Sequence, residues 1–474
     1  MKNIIKSIAV GTFLLIIPYI LFPNKGFAIT TKEEEDLSRE FLVMTFENYQ
    51  IIEDPIIADY INNIGRKILA VMPSRQFPFR FYVIREESYN AFAGPAGHIF
   101  INSGLLEAME SEDEIAGILS HEISHVNCRH ISSMIERSKK TGIATLAGIA
   151  TGILLGIGGA SEIGSAVTIG SVAAGQTVSL AYSRENEMQA DQVSLKYLNK
   201  AGYSAEGLLK ILKKIRNKTW YGSDQIPTYL VTHPATEDRI NYIGAWIQSN
   251  ESPEKKADDK INLEFNLMRS RITALYGERS IALEKLKNEA ALNPEDPFAQ
   301  YGYGLILSRM GDRKGAITYL KKALEKKPFY QIFIRDLGKM YYLDGKYHKA
   351  LELLKSSKSL PQFDAEGELY LARTLKKLSR NKEAVSAFQK ILEKRPAYSK
   401  TYYYLGEIYG KMGQLGDAHY YLGTYYRYER KYDNAVFHLK KALEFLTDSE
   451  KIDNAKKMLE KLTGDKETYS GKKE

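Results

Sequence analysis

A chain of 474 residues is too long for one ordinary hydrophobic core, so two or more domains are expected. Its 44% hydrophobic and 26% charged residues are those of a folded soluble protein and exclude a disordered or multi-spanning one. The net charge of +8, from 66 basic against 58 acidic residues, comes without a dense Lys/Arg stripe, so no nucleic-acid partner is expected.

At the N-terminus, Lys2 and Lys6 precede an uncharged run from Ser7 to Phe22. Gly26-Phe27-Ala28 then offers small residues at the −3 and −1 positions of a cleavage site. This is the layout of a secretory signal peptide over residues 1–28. The run is short for a comfortable spanning helix, which leaves an uncleaved anchor as the alternative; Pro18 and the small-residue site favour cleavage. No cysteine lies near the site, which excludes a lipid anchor there. The single cysteine, Cys128, permits no intramolecular disulfide, so stability must come from the cores. The expected destination is a bacterial envelope compartment, most simply the periplasm.

Residues 29–248 read as one domain. Amphipathic helical patterns at Leu37–Tyr49 and Ile57–Met72 lead into Pro78–Ile84, whose aromatic and β-branched alternation predicts a strand. A second short strand, His98–Asn102, follows the turn Gly94-Pro95-Ala96-Gly97. Leu105–Arg137 reads as helix, interrupted around Ser111, where Ser111-Glu112-Asp113-Glu114 has the character of a helix start. Residues 141–176 are almost all small or apolar. They suit closely packed helices with a loop near the site, with peripheral membrane contact as the alternative. Residues 249–262 are a linker by composition.

Beyond the linker the sequence repeats. Gly304, Gly338, Ala372 and Gly406 are each 34 residues apart, as are Gly311, Gly345, Ser379 and Gly413, and as are Ala316, Ala350, Ala384 and Ala418. Small residues where two helices must touch, at this period, predict tetratricopeptide (TPR) repeats over residues 263–446. Gly423 and Ala435 continue the pattern a half-step on, so one helix is expected to be shared between overlapping repeats. Residues 447–474 are expected to hold a capping helix, Ile452–Leu462, and a disordered tail from Gly464.

The chemistry concentrates at Leu119–His130, L-S-H-E-I-S-H-V-N-C-R-H. On a helix, residues i and i+4 share a face, so His121 and His125 can aim two imidazoles at one ion. Glu122, one step round, lies beside the ion, where it suits a general base acting on water. Cys128 shares the face, but seven residues of helical rise put it about 10 Å from His121, too far for one ion. His130 points elsewhere around the helix and is expected to be a structural group or a support behind the ligands, with no more specific role assigned. A third ligand must come from another element, and the best source is S-R-E-N-E-M-Q-A-D at Ser183–Asp191. Glu187 and Asp191 share a face, so Glu187 can ligate while Asp191 accepts the second N–H of a ligating histidine. Glu185, on a different face, is the alternative ligand.

H-E-I-S-H followed some sixty residues later by S-R-E-N-E-M-Q-A-D resembles the HtpX/BepA-type zinc metalloendopeptidases, relatives of the CAAX prenyl endopeptidases. Asn90-Ala91-Phe92-Ala93, His98-Ile99-Phe100-Ile101 and Thr232-His233-Pro234 with Arg239 match as well. The export signal and repeats point to the periplasmic BepA-like members. The resemblance implies an α+β fold, mostly α, with a zincin-type metalloprotease domain that carries a small β-sheet and active-site helices. An α-solenoid of TPR repeats follows. It also implies one Zn²⁺ per chain on His121, His125 and Glu187, with Glu122 catalytic and Asp191 and Arg239 supporting the ligands. Gln189 stands where the family usually has an acid, off the face of the ligand set.

Two roles are open to His233: a donor to the oxyanion, or a fourth zinc ligand that keeps the site latent. A loop histidine capping the helix of Arg239 is the structural alternative. Asn90, His98, Ile99 and Phe100 are candidate substrate contacts, with His98–Asn102 expected to be an edge strand that pairs with an extended peptide. The implied partners are unfolded or misassembled proteins and, through the repeats, outer-membrane assembly machinery. The competing class is a TPR chaperone with a silent metal site.

Overall fold

The computed structural model describes residues 29–140, 182–220, 228–234, 237–250, 259–356 and 364–470. The chain divides into two compact units, 1–256 and 257–474. The expected signal at 1–28, the glycine-rich stretch at 141–176 and most of the linker lie outside the described residues. Among the described residues, no helix is long and apolar enough to cross a membrane.

In the first unit, α1 (Thr31–Asn48) starts at a Thr30/Glu33 capping box, and α2 (Pro55–Ala70) starts at an Asp54 cap with proline in its first turn. Among the described residues the sheet has three strands: β1 (Arg80–Ile84), β2 (Ala91–Ala93) and β3 (His98–Asn102). Its order is β1-β3-β2. β3 runs parallel to β1, with Arg80 opposite His98, and antiparallel to β2, with Ala93 opposite Ile99. The expected edge strand is therefore the central one. The turn before it folds β2 back along one side while β1 pairs with the other, so β3 has no free backbone for a peptide. Ile99 and Phe100 are wholly buried core residues, and His98 and Asn90 are buried too.

The predicted long helix is three. After α3 (Ser103–Ala108), the chain restarts at α4 (Glu112–Asn127), where the Ser111 hydroxyl accepts from the Glu114 N–H. Glu112, Asp113 and Glu114 complement the positive end of the helix dipole. A second break, which periodicity did not predict, falls at Cys128 and Arg129, the latter at φ +57°. α5 (His130–Lys140) follows the break. α4 is buried along both faces from Ile115 to Val126, packed between α2, the sheet, α6 (Arg184–Ala201) and α7 (Glu206–Trp220). α8 (Thr228–Thr232) and α9 (Glu237–Asn250) are the last described helices of the unit.

The crossing of α4 and α7 is close enough to need glycine on both sides. A Cβ on Gly117 would come 2.8 Å from the Leu208 backbone, and one on Gly207 would land on the Asp113 carbonyl. Gly207→Ala should therefore push α7 off α4 at about 1–3 kcal/mol, read as a lower thermal midpoint. A wild-type midpoint would show that the crossing yields without cost.

The second unit is a run of antiparallel helices: α10 (Asp259–Tyr276), α11 (Arg279–Leu292), α12 (Pro297–Arg309), α13 (Arg313–Lys326), α14 (Gln331–Leu343) and α15 (Tyr347–Ser356). It continues with α16 (Ala365–Lys377), α17 (Asn381–Lys394), α18 (Ser399–Lys411), α19 (Leu415–Tyr428), α20 (Tyr432–Phe445) and α21 (Ser449–Ser470). Two of the small-residue columns serve helix contact. A Cβ on Gly304, Gly338 or Gly406 would meet Leu320, Leu354 or Leu422 of the next helix at 2.9, 2.8 and 2.7 Å, and Ala316, Ala350 and Ala384 are fully buried. The third column is different: Gly311, Gly345, Ser379 and Gly413 hold the left-handed turns between helices, at φ +89°, +77°, +58° and +74°.

Gly423 meets Leu439 at 2.7 Å just as Gly406 meets Leu422, so α19 is the second helix of one pair and the first of the next. α21 covers the end through Ala455, Met458 and Leu462 packed on Ala435 and Leu439. It runs on to Ser470, so the expected disorder from Gly464 is corrected to helix. Tyr301, Tyr342 and Tyr421 are core residues, whereas Tyr403, Tyr428 and Tyr432 are exposed.

Candidate metal centre

α4 supplies His121, Glu122 and His125, all with zero exposure. α6 faces it, capped by a Ser183/Asn186 box and ended by Gly202 at φ +85°, and supplies Glu187 and Asp191. His121 Nε2 and His125 Nε2 are 3.0 Å apart. Glu187 reaches both, at 3.4 Å from His121 Nε2 and 3.3 Å from His125 Nε2. His233, just past α8, places Nδ1 3.0 Å from Glu187 Oε1 and Nε2 3.7 Å from Glu122 Oε1. One ligand atom from each of His121, His125, Glu187 and His233 lies within 4.8 Å of the others. Three imidazoles and a carboxylate converging in a buried pocket suit a divalent transition metal, and both Glu122 oxygens and His233 Nε2 are buried there without a hydrogen-bond partner.

The support is ionic. Asp191 Oδ1 lies 3.0 Å from His121 Nδ1, on the side away from the pocket. Arg239, from α9, grips Asp191 bidentately at 2.7 and 2.9 Å and also pairs with Glu187. Burial opposes charge on these carboxylates, but for Glu187 the His233 and Arg239 charges outweigh it, and for Asp191 Arg239 and His121 do, so both pKa values fall. His121 is raised to about 9, because Asp191 and Glu187 outweigh its burial; an incoming cation must displace that proton. Burial alone dominates at Glu122, whose pKa is raised, and at His125, whose pKa is lowered well below the usual value.

The sequence-derived residues thus separate. His121, Glu122, His125, Glu187, Asp191, His233 and Arg239 meet at one point. Glu185, the alternative ligand, is exposed, and Cys128 caps the end of α4 outside the donor group. Asn90, His98, Ile99 and Phe100 sit in and beside the sheet. Gln189 meets none of the four donor residues, but it reaches one of them through His130. Its Oε1 lies 2.9 Å from His130 Nε2, and His130 Nδ1 lies 3.0 Å from His125 Nδ1. The second break in the helix makes this possible by returning His130 beside His125.

Two residues went unnoticed in the sequence. Tyr182 stacks on His125 with centroids 3.8 Å apart, and Tyr229 stacks on His233 at 4.6 Å. Both hydroxyls are buried without a hydrogen-bond partner. Their sequence signals were position alone: Tyr182 precedes the α6 cap, and Tyr229 stands four residues before His233.

Comparison with known proteins agrees with this geometry. Residues 57–247 match the model of peptidase family M48, and residues 299–330 and 387–420 match tetratricopeptide repeat models. A putative beta-barrel assembly-enhancing protease of Vibrio cholerae is 31% identical over 324 residues, covering 66% of this chain and 65% of the relative. The beta-barrel assembly-enhancing protease of Escherichia coli K12 is 26% identical over 349 residues, covering 71% and 69%. The mitochondrial metalloendopeptidase OMA1 of Saccharomyces cerevisiae is 29% identical over 172 residues, covering 35% and 46%. The chain thus spans just under two thirds of the length of the Vibrio relative. The buried histidines and carboxylates fall inside the family match, and the helical run falls beyond it: the chain carries a peptidase family M48 domain followed by tetratricopeptide repeats.

Proposed function

We propose that this chain is a zinc-dependent metalloendopeptidase of the bacterial envelope that cleaves misfolded or misassembled proteins. Its repeats select substrate or partner, and its place of work is outer-membrane protein quality control in the periplasm. The observation that carries the reading is the buried convergence of His121, His125 and Glu187 beside the unpartnered carboxylate of Glu122. The names of the bacterial relatives support the outer-membrane part, and the signal-like leader supports the compartment.

His121, His125 and Glu187 would hold the zinc. The ion, when bound, supplies Lewis-acid polarisation of a water and of the scissile carbonyl. Glu122 takes the proton from water and delivers it to the leaving amine; its burial raises its pKa. Asp191 fixes the His121 ring, and Arg239 neutralises the carboxylates that hold it. Zinc content, with cleavage of an unfolded protein such as casein by the wild type and by Glu122→Gln, tests the reading. Stoichiometric zinc and loss of cleavage in the variant are expected; a wild type without zinc would sink it.

A second reading, of a latent enzyme, is favoured by one observation: His233 stands within the same 4.8 Å group as the other donors. In that position it fills the place that substrate and water need. His233→Ala should then cleave casein severalfold faster than the wild type. An inactive variant would instead assign His233 to the oxyanion.

A further inference from the structure

The two histidines of α4 are held from behind by different chemistry. His121 backs onto Asp191, a buried carboxylate clamped by Arg239. His125 backs onto His130, a buried imidazole, and His130 in turn meets Gln189, whose side chain is exposed on α6.

Hydrogen-bond polarity orders this chain of contacts. With Oε1 of Gln189 turned toward it, an atom that can only accept, His130 Nε2 donates to it. A neutral His130 then presents Nδ1 as an acceptor, and His125 Nδ1 must carry the proton that fills the 3.0 Å contact. That leaves His125 Nε2 with a lone pair, and this is the atom that faces His121 and Glu187 in the pocket. With the amide turned the other way, every donor reverses and His125 Nε2–H would point at the metal position.

We infer that Gln189 and His130 are positioning residues that hold His125 in its metal-binding tautomer. The inference rests on the zinc reading above. It gives the two ligands unequal anchors. The His121 anchor is ionic and sealed; the His125 anchor passes through one imidazole ring to an exposed amide. Supports of this kind are worth about 10–100-fold in metal affinity.

The test uses the full chain and a chromophoric chelator competing for Zn²⁺, with the visible spectrum of the Co²⁺ form as a second readout. Gln189→Met keeps the length and removes the acceptor; Gln189→Glu keeps the acceptor. The expected result is zinc affinity ~10–100-fold weaker in the methionine variant with an altered Co²⁺ spectrum, while the glutamate variant stays close to the wild type. A methionine variant with wild-type affinity and spectrum, on a wild type that binds zinc, overturns the relay alone. A wild type that binds no zinc overturns the zinc reading and the relay with it.

Discussion

Glu122→Gln should lower the rate of casein cleavage by about 10²–10⁴-fold, the usual contribution of a positioned general base. Zinc should stay bound, because the proposed ligands His121, His125 and Glu187 are untouched and Glu122 meets none of them in hydrogen bonding. The fold should hold as well. Glutamine has nearly the same shape, and an uncharged amide removes the desolvation that a fully buried carboxylate carries. The variant should therefore melt no lower than the wild type. Cleavage followed on gels, zinc measured by emission spectroscopy and a thermal scan separate the three statements. Cleavage at the wild-type rate in a zinc-replete variant would remove Glu122 from the reaction.

Arg239→Met should be the most damaging single change outside the ligands. One guanidinium serves both Asp191 and Glu187, and all three groups are buried. Removing it leaves two buried carboxylates without their cation, a loss of about 3–5 kcal/mol where one such pair is broken. For a unit of this size that lowers the thermal midpoint by roughly 10 °C. Zinc affinity should fall too, since Asp191 loses the clamp that orients it toward His121. Arg239→Lys should recover only part of either, because an ammonium cannot span both Asp191 oxygens as the fork does. A methionine variant that melts within about 2 °C of the wild type would show that the carboxylates find protons or other partners instead.

Much of this site was legible because it obeys helix arithmetic. His121 and His125 stand i and i+4, Glu187 and Asp191 likewise, and Ser111 and Ser183 begin their helices with short polar side chains that cap. The 34-residue period exposed the solenoid for the same reason. What escaped has no local signature. The break at Cys128–Arg129 contains neither Gly nor Pro, so the apolar pattern runs straight through it, and only the turn reveals that His130 comes back to His125. The central place of β3 depends on which strands pair, and alternation within five residues carries no such information. Tyr182 and Tyr229 matter through stacking on histidines far along the chain, a contact no spacing encodes. The turn role of Gly311, Gly345, Ser379 and Gly413 was hidden because a small residue serves a close approach and a left-handed φ alike.

The double duty of α19 has a consequence for how the array counts. Up to α18 the helices come in strict pairs, so each keeps a fixed parity, first or second, and with it a fixed neighbour and a fixed exposed face. When α19 closes one pair and opens the next, the register advances 17 residues, from Gly406 to Gly423, and parity inverts. α20, which an unbroken count would make a first helix, packs instead as a second one. The exposed side chains Phe437 and Phe445 therefore belong to the opposite row from the one their numbering implies. A single inserted or deleted helix elsewhere in the run would restore the original parity without altering any one helix, so changes of face at this end can arise from arithmetic alone.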